Sequence, residues 1–122
     1  MKKIVMIEDN PDNRLLVCAI LKDYYQIFEC DSSLSAMSCL RSMKPDGILL
    51  DISLPEIDGT EILQMIRAEA ELKDTPVIAL TAHAMKGDRE KYLALGFNDY
   101  VTKPIMDETV LIETLRKYVP FP

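Results

Sequence analysis

Gly47-Ile48-Leu49-Leu50-Asp51-Ile52-Ser53-Leu54-Pro55 is the stretch that decides the fold. Gly47–Leu50 is short and apolar without alternation, as a strand buried on both faces of a sheet would be. A carboxylate, Asp51, closes it just before a proline-containing loop. Burying that charge for packing alone is costly. Near the N-terminus Lys3-Ile4-Val5-Met6-Ile7 runs in the same way into Glu8-Asp9. Two strands that both end in acid point to one acidic site.

Working outward, strand-like runs are read at Lys3–Ile7, Tyr25–Cys30, Gly47–Leu50, Pro76–Leu80 and Asn98–Val101. Helix-length stretches lie between them. Pro11–Asp23 carries Leu15, Leu16, Ala19 and Ile20 at helical spacing, with Pro11 suited to a first turn. Ser32 or Ser33 is a cap for the next, with Leu34, Met37, Leu40 and Met43 along it and Pro45 as its stop. Thr60–Ala70 offers Ile62, Leu63 and Ile66. Ala84–Leu95 offers Met85, Tyr92 and Leu95, and Gly96 is a natural C-terminal cap. Asp107–Val119 offers Val110, Leu111, Leu115 and Tyr118 behind an acidic first turn.

Strand and helix thus alternate through five units. That rhythm predicts parallel strands with right-handed crossovers and helices on both faces of the sheet. Five units are too few for an eight-stranded barrel. The expected fold class is α/β, a doubly wound five-stranded parallel sheet of order 2-1-3-4-5, flavodoxin-like. Strands one and three are then neighbours at the switch point, where ligands bind beyond the carboxyl ends of the strands.

The 122 residues are expected to form one domain. The chain is 48% apolar and 28% charged, with a formal net charge of −6. That balance argues against a nucleic-acid or anionic-membrane surface, which calls for a basic patch. No apolar stretch approaches the ~20 residues that span a bilayer, and the N-terminal apolar run meets acid too early for a signal peptide. Cys18, Cys30 and Cys39 read as small hydrophobes in a reduced, cytoplasmic setting, and with the single His83 they do not make a zinc site.

With that topology, Glu8, Asp9, Asp51, Thr81 and Lys103 fall on one edge of the sheet. Clustered carboxylates need a cation, and oxygen ligands without His or Cys suit a hard ion such as Mg²⁺. A lysine ammonium is a point charge for a phosphoryl oxygen, the Thr81 hydroxyl can bond another, and a carboxylate can itself be the nucleophile. The set suits receipt of a phosphoryl group. Taken singly, each residue has a plainer reading: Asp9 or Thr81 as a helix cap, Asp51 as a loop acid, Lys103 as a solvated lysine. The conjunction carries the argument.

The segments Ile7-Glu8-Asp9-Asn10, Leu50-Asp51-Ile52-Ser53-Leu54-Pro55, Ala79-Leu80-Thr81-Ala82 and Tyr100-Val101-Thr102-Lys103-Pro104 resemble those of response regulator receiver domains, over essentially the whole chain. The resemblance implies Asp51 as phosphoacceptor and Glu8, Asp9 and Asp51 as Mg²⁺ ligands, joined by the backbone carbonyl of Ser53. It implies Thr81 as the switch hydroxyl, Tyr100 as the aromatic that changes rotamer, Lys103 as the phosphate-contacting base and a cis peptide before Pro104. It places His83 and Ser53 beside the phosphoryl group, where they can influence its loss. The implied function is a signalling switch of a two-component system or phosphorelay. It takes a phosphoryl group from the phosphohistidine of a histidine kinase or phosphotransfer domain and signals through the fourth helix, fifth strand and fifth helix. Beyond accepting and losing that group it is not expected to be an enzyme.

With the C-terminus directly after the fifth helix, a stand-alone regulator is the first expectation, and a receiver from a hybrid histidine kinase the second. A monomer is expected, with dimerisation through the fourth and fifth helices as the alternative. A Mg²⁺-dependent phosphohydrolase is a competing class, but such enzymes need a second acid two residues after the nucleophile, where Ser53 stands. A dinucleotide- or flavin-binding protein would want glycine in the first strand-to-helix turn, and Glu8-Asp9-Asn10-Pro11 has none. Gly59 reads as a turn glycine. Gly87, inside the fourth helical stretch, weakens that helix by about 1 kcal/mol relative to Ala and marks it as the element that moves.

Overall fold

The computed structural model describes residues 1–82 and 87–121. Five strands and five helices alternate: β1 (Lys3–Ile7), α1 (Pro11–Leu21), β2 (Gln26–Cys30), α2 (Ala36–Met43), β3 (Gly47–Asp51), α3 (Gly59–Ala68), β4 (Val77–Thr81), α4 (Asp88–Leu95), β5 (Asp99–Thr102) and α5 (Glu108–Tyr118). All four strand pairings are parallel and the order is β2-β1-β3-β4-β5. The expected architecture is therefore the observed one. His83, Met85 and the expected helix start at Ala84 lie outside the described residues.

Every residue of β3 and β4 is buried, because helices cover both faces of the central strands. Side chains on successive strand positions point to opposite faces, which splits the core in two. Val5, Ile7, Ile48, Leu50, Val77 and Ala79 pack with the buried faces of α2, α3 and α4. Ile4, Met6, Leu49, Ile78, Leu80 and Val101 pack with α1 and α5. Continued to the strand ends, the same alternation puts Glu8, Asp51 and Lys103 at register positions of the α1/α5 face. Thr81 and Tyr100 fall on the face covered by α4.

Several local expectations are corrected. The buried stripe of α1 is Val17, Ile20 and Leu21, whereas Leu15 and Leu16 are exposed. Both sets have helical spacing, and the cap fixes which one faces inward. That cap is Asn10, not Asp9: its side chain accepts from the N–H groups of Asp12 (2.8 Å) and Asn13 (3.2 Å). The N-cap of α2 is Ser35, without a side-chain cap bond, in place of Ser32 or Ser33, and Leu34 is exposed ahead of it. Ser33 instead donates to the Pro55 carbonyl at 2.7 Å, tying down the loop after β3. Val110 is exposed, and α5 buries Leu111, Thr114 and Leu115.

Gly96 is left-handed at φ 113° and caps α4 as expected. Gly87 is the N-cap of α4 at φ 95°, not an interior residue, so it starts the helix and does not weaken its middle. Gly59 is the first residue of α3 and has no positive φ. What excludes a side chain there is space, since a Cβ would lie 2.3 Å from the carbonyl oxygen of Asp51. Cys18, Cys30 and Cys39 are all free thiols. Among the described residues, no helix is long and apolar enough to cross a membrane.

Candidate functional site: an acidic edge at the switch point

The carboxyl ends of β1 and β3 lie side by side, since Ile7 pairs with Leu50. The next residue of each strand is an acid. Glu8 is 0% exposed and Asp51 2%, while Asp9, one step further, is exposed. One ligand oxygen from each of Glu8, Asp9 and Asp51 falls within 4.8 Å of the others. The carboxylates that the sequence placed together are together.

Lys103 reaches into this cluster from the end of β5. Its Nζ is 3.1 Å from Asp51 Oδ1 and 3.2 Å from Glu8 Oε1. The Lys103 N–H donates to the Thr81 carbonyl at 2.7 Å, fixing the backbone from which the side chain departs. The following peptide, Lys103–Pro104, is cis. Asp51 Oδ1 also accepts from the Ser53 N–H at 3.0 Å, which orients the carboxylate.

One ammonium does not balance three carboxylates. Burial, the hydrogen bond to Asp51 and the Asp51 charge push the Glu8 carboxyl up from 4.5 to about 7, although the Asn10 N–H and Lys103 pull it down. Burial alone would lower Lys103, but the hydrogen bonds and charges of Asp51 and Glu8 outweigh it and raise the ammonium's pKa. The cluster is short of positive charge. An all-oxygen donor set with that deficit fits a hard divalent cation such as Mg²⁺.

Thr81 and Tyr100 approach from the other face. Thr81 is 2% exposed, and its Oγ1 lies 3.0 Å from the Tyr92 hydroxyl. Tyr100 is half-buried, with its ring centroid 5.6 Å from that of Tyr92. Ser53 is exposed at the rim of the acidic cluster.

Two supporting residues were not singled out from sequence. Asn13 donates from Nδ2 to Glu8 Oε1 at 3.1 Å. Arg14 Nη1 donates to the carbonyls of Glu8 (2.9 Å) and Asp9 (3.0 Å), pinning the backbone of the acidic pair. Both stand within six residues of Glu8 on the first turn of α1, a proximity visible in the sequence. Gly59 and Tyr92 were noticed, one as a turn residue and the other as core, but not as neighbours of the site.

An open five-stranded α/β sheet with buried acids, a lysine and a threonine at its switch point is the form taken by phosphoryl-accepting signalling modules. The chain belongs to the response regulator receiver domain family, whose sequence model matches residues 4–116. It is 42% identical over 118 residues to the signal transduction histidine-protein kinase BarA of Escherichia coli (strain K12), an alignment covering 96% of this chain and 13% of that kinase. It is 38% identical over 119 residues to the polar-differentiation response regulator DivK of Brucella ovis, covering 97% and 96% of the two chains. The receiver domain of sensor histidine kinase PA1611 from Pseudomonas aeruginosa, solved with a magnesium ion in its active site cleft, superposes with a TM-score of 0.84 at 35% identity, covering 96% of each chain. Chemotaxis response regulator CheY4 of Vibrio cholerae shares the fold, with a TM-score of 0.88 at 23% identity over 98% and 99% of the two chains.

Proposed function

We propose that residues 1–122 act as one phosphorylation-driven switch, with Asp51 as acceptor. The observation that carries this reading is the convergence on Asp51 of the Lys103 ammonium from the end of β5, the Ser53 N–H and the two acids that follow β1. The donor is a phosphohistidine on a histidine kinase or phosphotransfer domain. An oxygen of Asp51 bonds to phosphorus as the P–N bond to the donor imidazole breaks, and the imidazole retains that electron pair. Lys103 shifts from the carboxylates to a phosphoryl oxygen, and Thr81 donates its hydroxyl hydrogen to another. Later, water attacks phosphorus, the bond to Asp51 breaks and inorganic phosphate leaves. Acceptance and self-dephosphorylation are the only reactions assigned to the chain.

Glu8, Asp9, Asp51 and the Ser53 backbone carbonyl are the residues that would hold Mg²⁺. When bound, that ion would offset negative charge on the transferring phosphoryl oxygens. Asn13 and Arg14 keep the Glu8–Asp9 segment in place for this purpose.

Output follows as a population shift, since phosphoryl contacts made only in the active arrangement favour it. Thr81 moves toward Asp51, Tyr100 turns into the space vacated, and the α4–β5–α5 face changes its protein partner. This reading places the chain in the cytoplasm and as a monomer at rest. The likeness to DivK supports a stand-alone regulator. The likeness to BarA and to the PA1611 receiver supports a second setting, a receiver within a hybrid kinase.

The test is intact-protein mass after incubation with Mg²⁺ and acetyl phosphate. One added phosphoryl group is expected, absent with EDTA and absent in Asp51→Asn. Uptake that persists in Asp51→Asn would overturn the assignment. Turnover of an unrelated phosphomonoester at Asp51 would instead revive the phosphohydrolase.

A further inference from the structure

Ser33 is a buried hydroxyl outside the acidic cluster, and the switch gives it no role. It lies between β2 and α2, is 4% exposed, and bridges two backbone groups of the loop after β3. Its Oγ donates to the Pro55 carbonyl at 2.7 Å and accepts from the Ile57 N–H at 3.2 Å. The same N–H donates to the same carbonyl at 2.8 Å. A bond from the third residue back to the first makes a γ-turn. Glu56 at its centre has φ 70°, the sign that marks the rare and strained form. Such a conformation on a residue with a Cβ persists only where its surroundings over-determine it. Here the Ser33 hydroxyl grips both ends of the turn. Ser33 is itself tied to the start of α2, because its carbonyl accepts from the Ala36 N–H at 3.3 Å.

We propose that Ser33 is a positioning residue that holds the loop after β3 in the geometry that admits a divalent cation at Asp51. The inference rests on the reading of the Ser53 carbonyl as a cation ligand. Ser53 stands at the start of the loop, and its N–H meets Asp51 Oδ1 at 3.0 Å. Both ends of the loop are fixed. The Gly59 N–H donates to the Ile52 carbonyl at 3.0 Å, and the Asp58 side chain caps α3 by accepting from the Thr60 N–H at 2.7 Å. A change of φ at Glu56 must therefore be taken up between them. Leu54 is buried in the core, and the ring of Pro55 fixes its own φ. The compensating rotation falls on Ile57 and on the exposed Ser53. Rotation at Ser53 turns the N–H that orients Asp51 and the carbonyl assigned to the cation. Ser33 thus acts through the loop and not as a ligand.

Ser33→Ala removes the hydroxyl and leaves the bond from Ile57 to Pro55 available, so neither group is orphaned. Calorimetry measures Mg²⁺ affinity in wild type, Asp51→Asn, Ser33→Ala, Glu56→Gly, Glu56→Ala and the two double variants that combine Ser33→Ala with each Glu56 substitution. Urea unfolding is measured on each. Without its grip, left-handed strain of ordinary size leaves about a tenth of the molecules with the loop in place, so Ser33→Ala should bind Mg²⁺ about tenfold more weakly than wild type. Glycine adopts positive φ about as readily as negative, so in the Glu56→Gly background Ser33→Ala should cost only about twofold. The Glu56→Ala background loses the same charge but keeps the Cβ, and there Ser33→Ala should again cost about tenfold. Mg²⁺ affinity unchanged in Ser33→Ala, even with a lower urea midpoint, would make Ser33 a residue of the fold alone and overturn the proposal. An equal loss in the Glu56→Gly background would also overturn it, because the strained turn would not be what Ser33 holds. If wild type binds no Mg²⁺, or Asp51→Asn binds it as tightly, the reading of the site falls and the role of Ser33 with it. Binding lost in Asp51→Asn but kept in Ser33→Ala would overturn the role of Ser33 alone.

Discussion

Gly59→Ala should damage both the fold and the acceptor, although alanine is the better helix former. Gly59 opens α3, and its N–H donates to the Ile52 carbonyl at 3.0 Å. An added Cβ would lie 2.3 Å from the Asp51 carbonyl oxygen, 2.8 Å from Ile52 Cα and 3.1 Å from the Asp51 carbonyl carbon. All three are backbone atoms, so no rotamer change relieves the overlap. Even favourable carbon–oxygen contacts stand at about 3.3 Å or more, so the start of α3 or the end of β3 must move by roughly 1 Å. Overpacking of this kind costs about 1–3 kcal/mol. The strained N–H bond adds about 1 kcal/mol, and the better helix propensity of alanine returns about 1 kcal/mol. The expected loss is about 2 kcal/mol, which at a urea slope of about 1–3 kcal/mol/M lowers the midpoint by roughly 1 M. Gly87→Ala is the control: among the described residues nothing lies within 4 Å of its added Cβ, and only φ 95° opposes it. That left-handed strain costs about 1 kcal/mol. Urea unfolding of both variants, with acetyl phosphate uptake measured on folded protein, completes the assay. A Gly59→Ala midpoint equal to wild type, or a Gly87→Ala that loses more, would refute the reasoning.

Three other outcomes follow from the site. The Glu8 carboxyl binds its proton more tightly in the folded protein (about 7) than in the unfolded chain (4.5). Its contribution to stability is therefore complete below about pH 4.5 and is lost as pH rises toward 7. The ceiling is about 3 kcal/mol at about 1.4 kcal/mol per pH unit. Urea unfolding in EDTA at pH 5 and pH 8 should show that fall in wild type and little of it in Glu8→Gln. Lys103→Met removes the ammonium that competes with a divalent cation for Glu8 and Asp51, so calorimetry should find Mg²⁺ bound at least about tenfold more tightly, while acetyl phosphate uptake drops. Asn10→Ala removes the cap of α1 and should cost about 1 kcal/mol in urea unfolding, loosening the Glu8–Asp9 segment that the same helix start supports.

Much of this site was legible because strand ends are legible. Apolar runs that stop at Glu8 and Asp51 give the first and third strands, the parallel topology gives the common edge that Lys103 also reaches, and each observed strand boundary lies within one residue of the sequence reading. Helix faces were harder. In α1, Leu15-Leu16-Ala19-Ile20 and Val17-Ile20-Leu21 are both helical stripes, and spacing does not choose between them. The Asn10 cap and the packing against Ile4 and Met6 do. The two-faced construction of the site follows from strand alternation, but it becomes useful only once the register is known. Gly59 and Tyr92 were opaque for a related reason. Periodicity assigns a residue to a face, not to the atom it meets across the chain, and their neighbours are Asp51 and Thr81.

The central claim is that Asp51, and not another acid of the cluster, forms the bond to phosphorus. Borohydride reduces an aspartyl phosphate to homoserine, which peptide mass spectrometry locates. After treatment with acetyl phosphate and Mg²⁺ followed by borohydride, homoserine is expected at position 51 alone. Reduction at Asp9 or at any other acid, with position 51 still aspartate, would contradict the account.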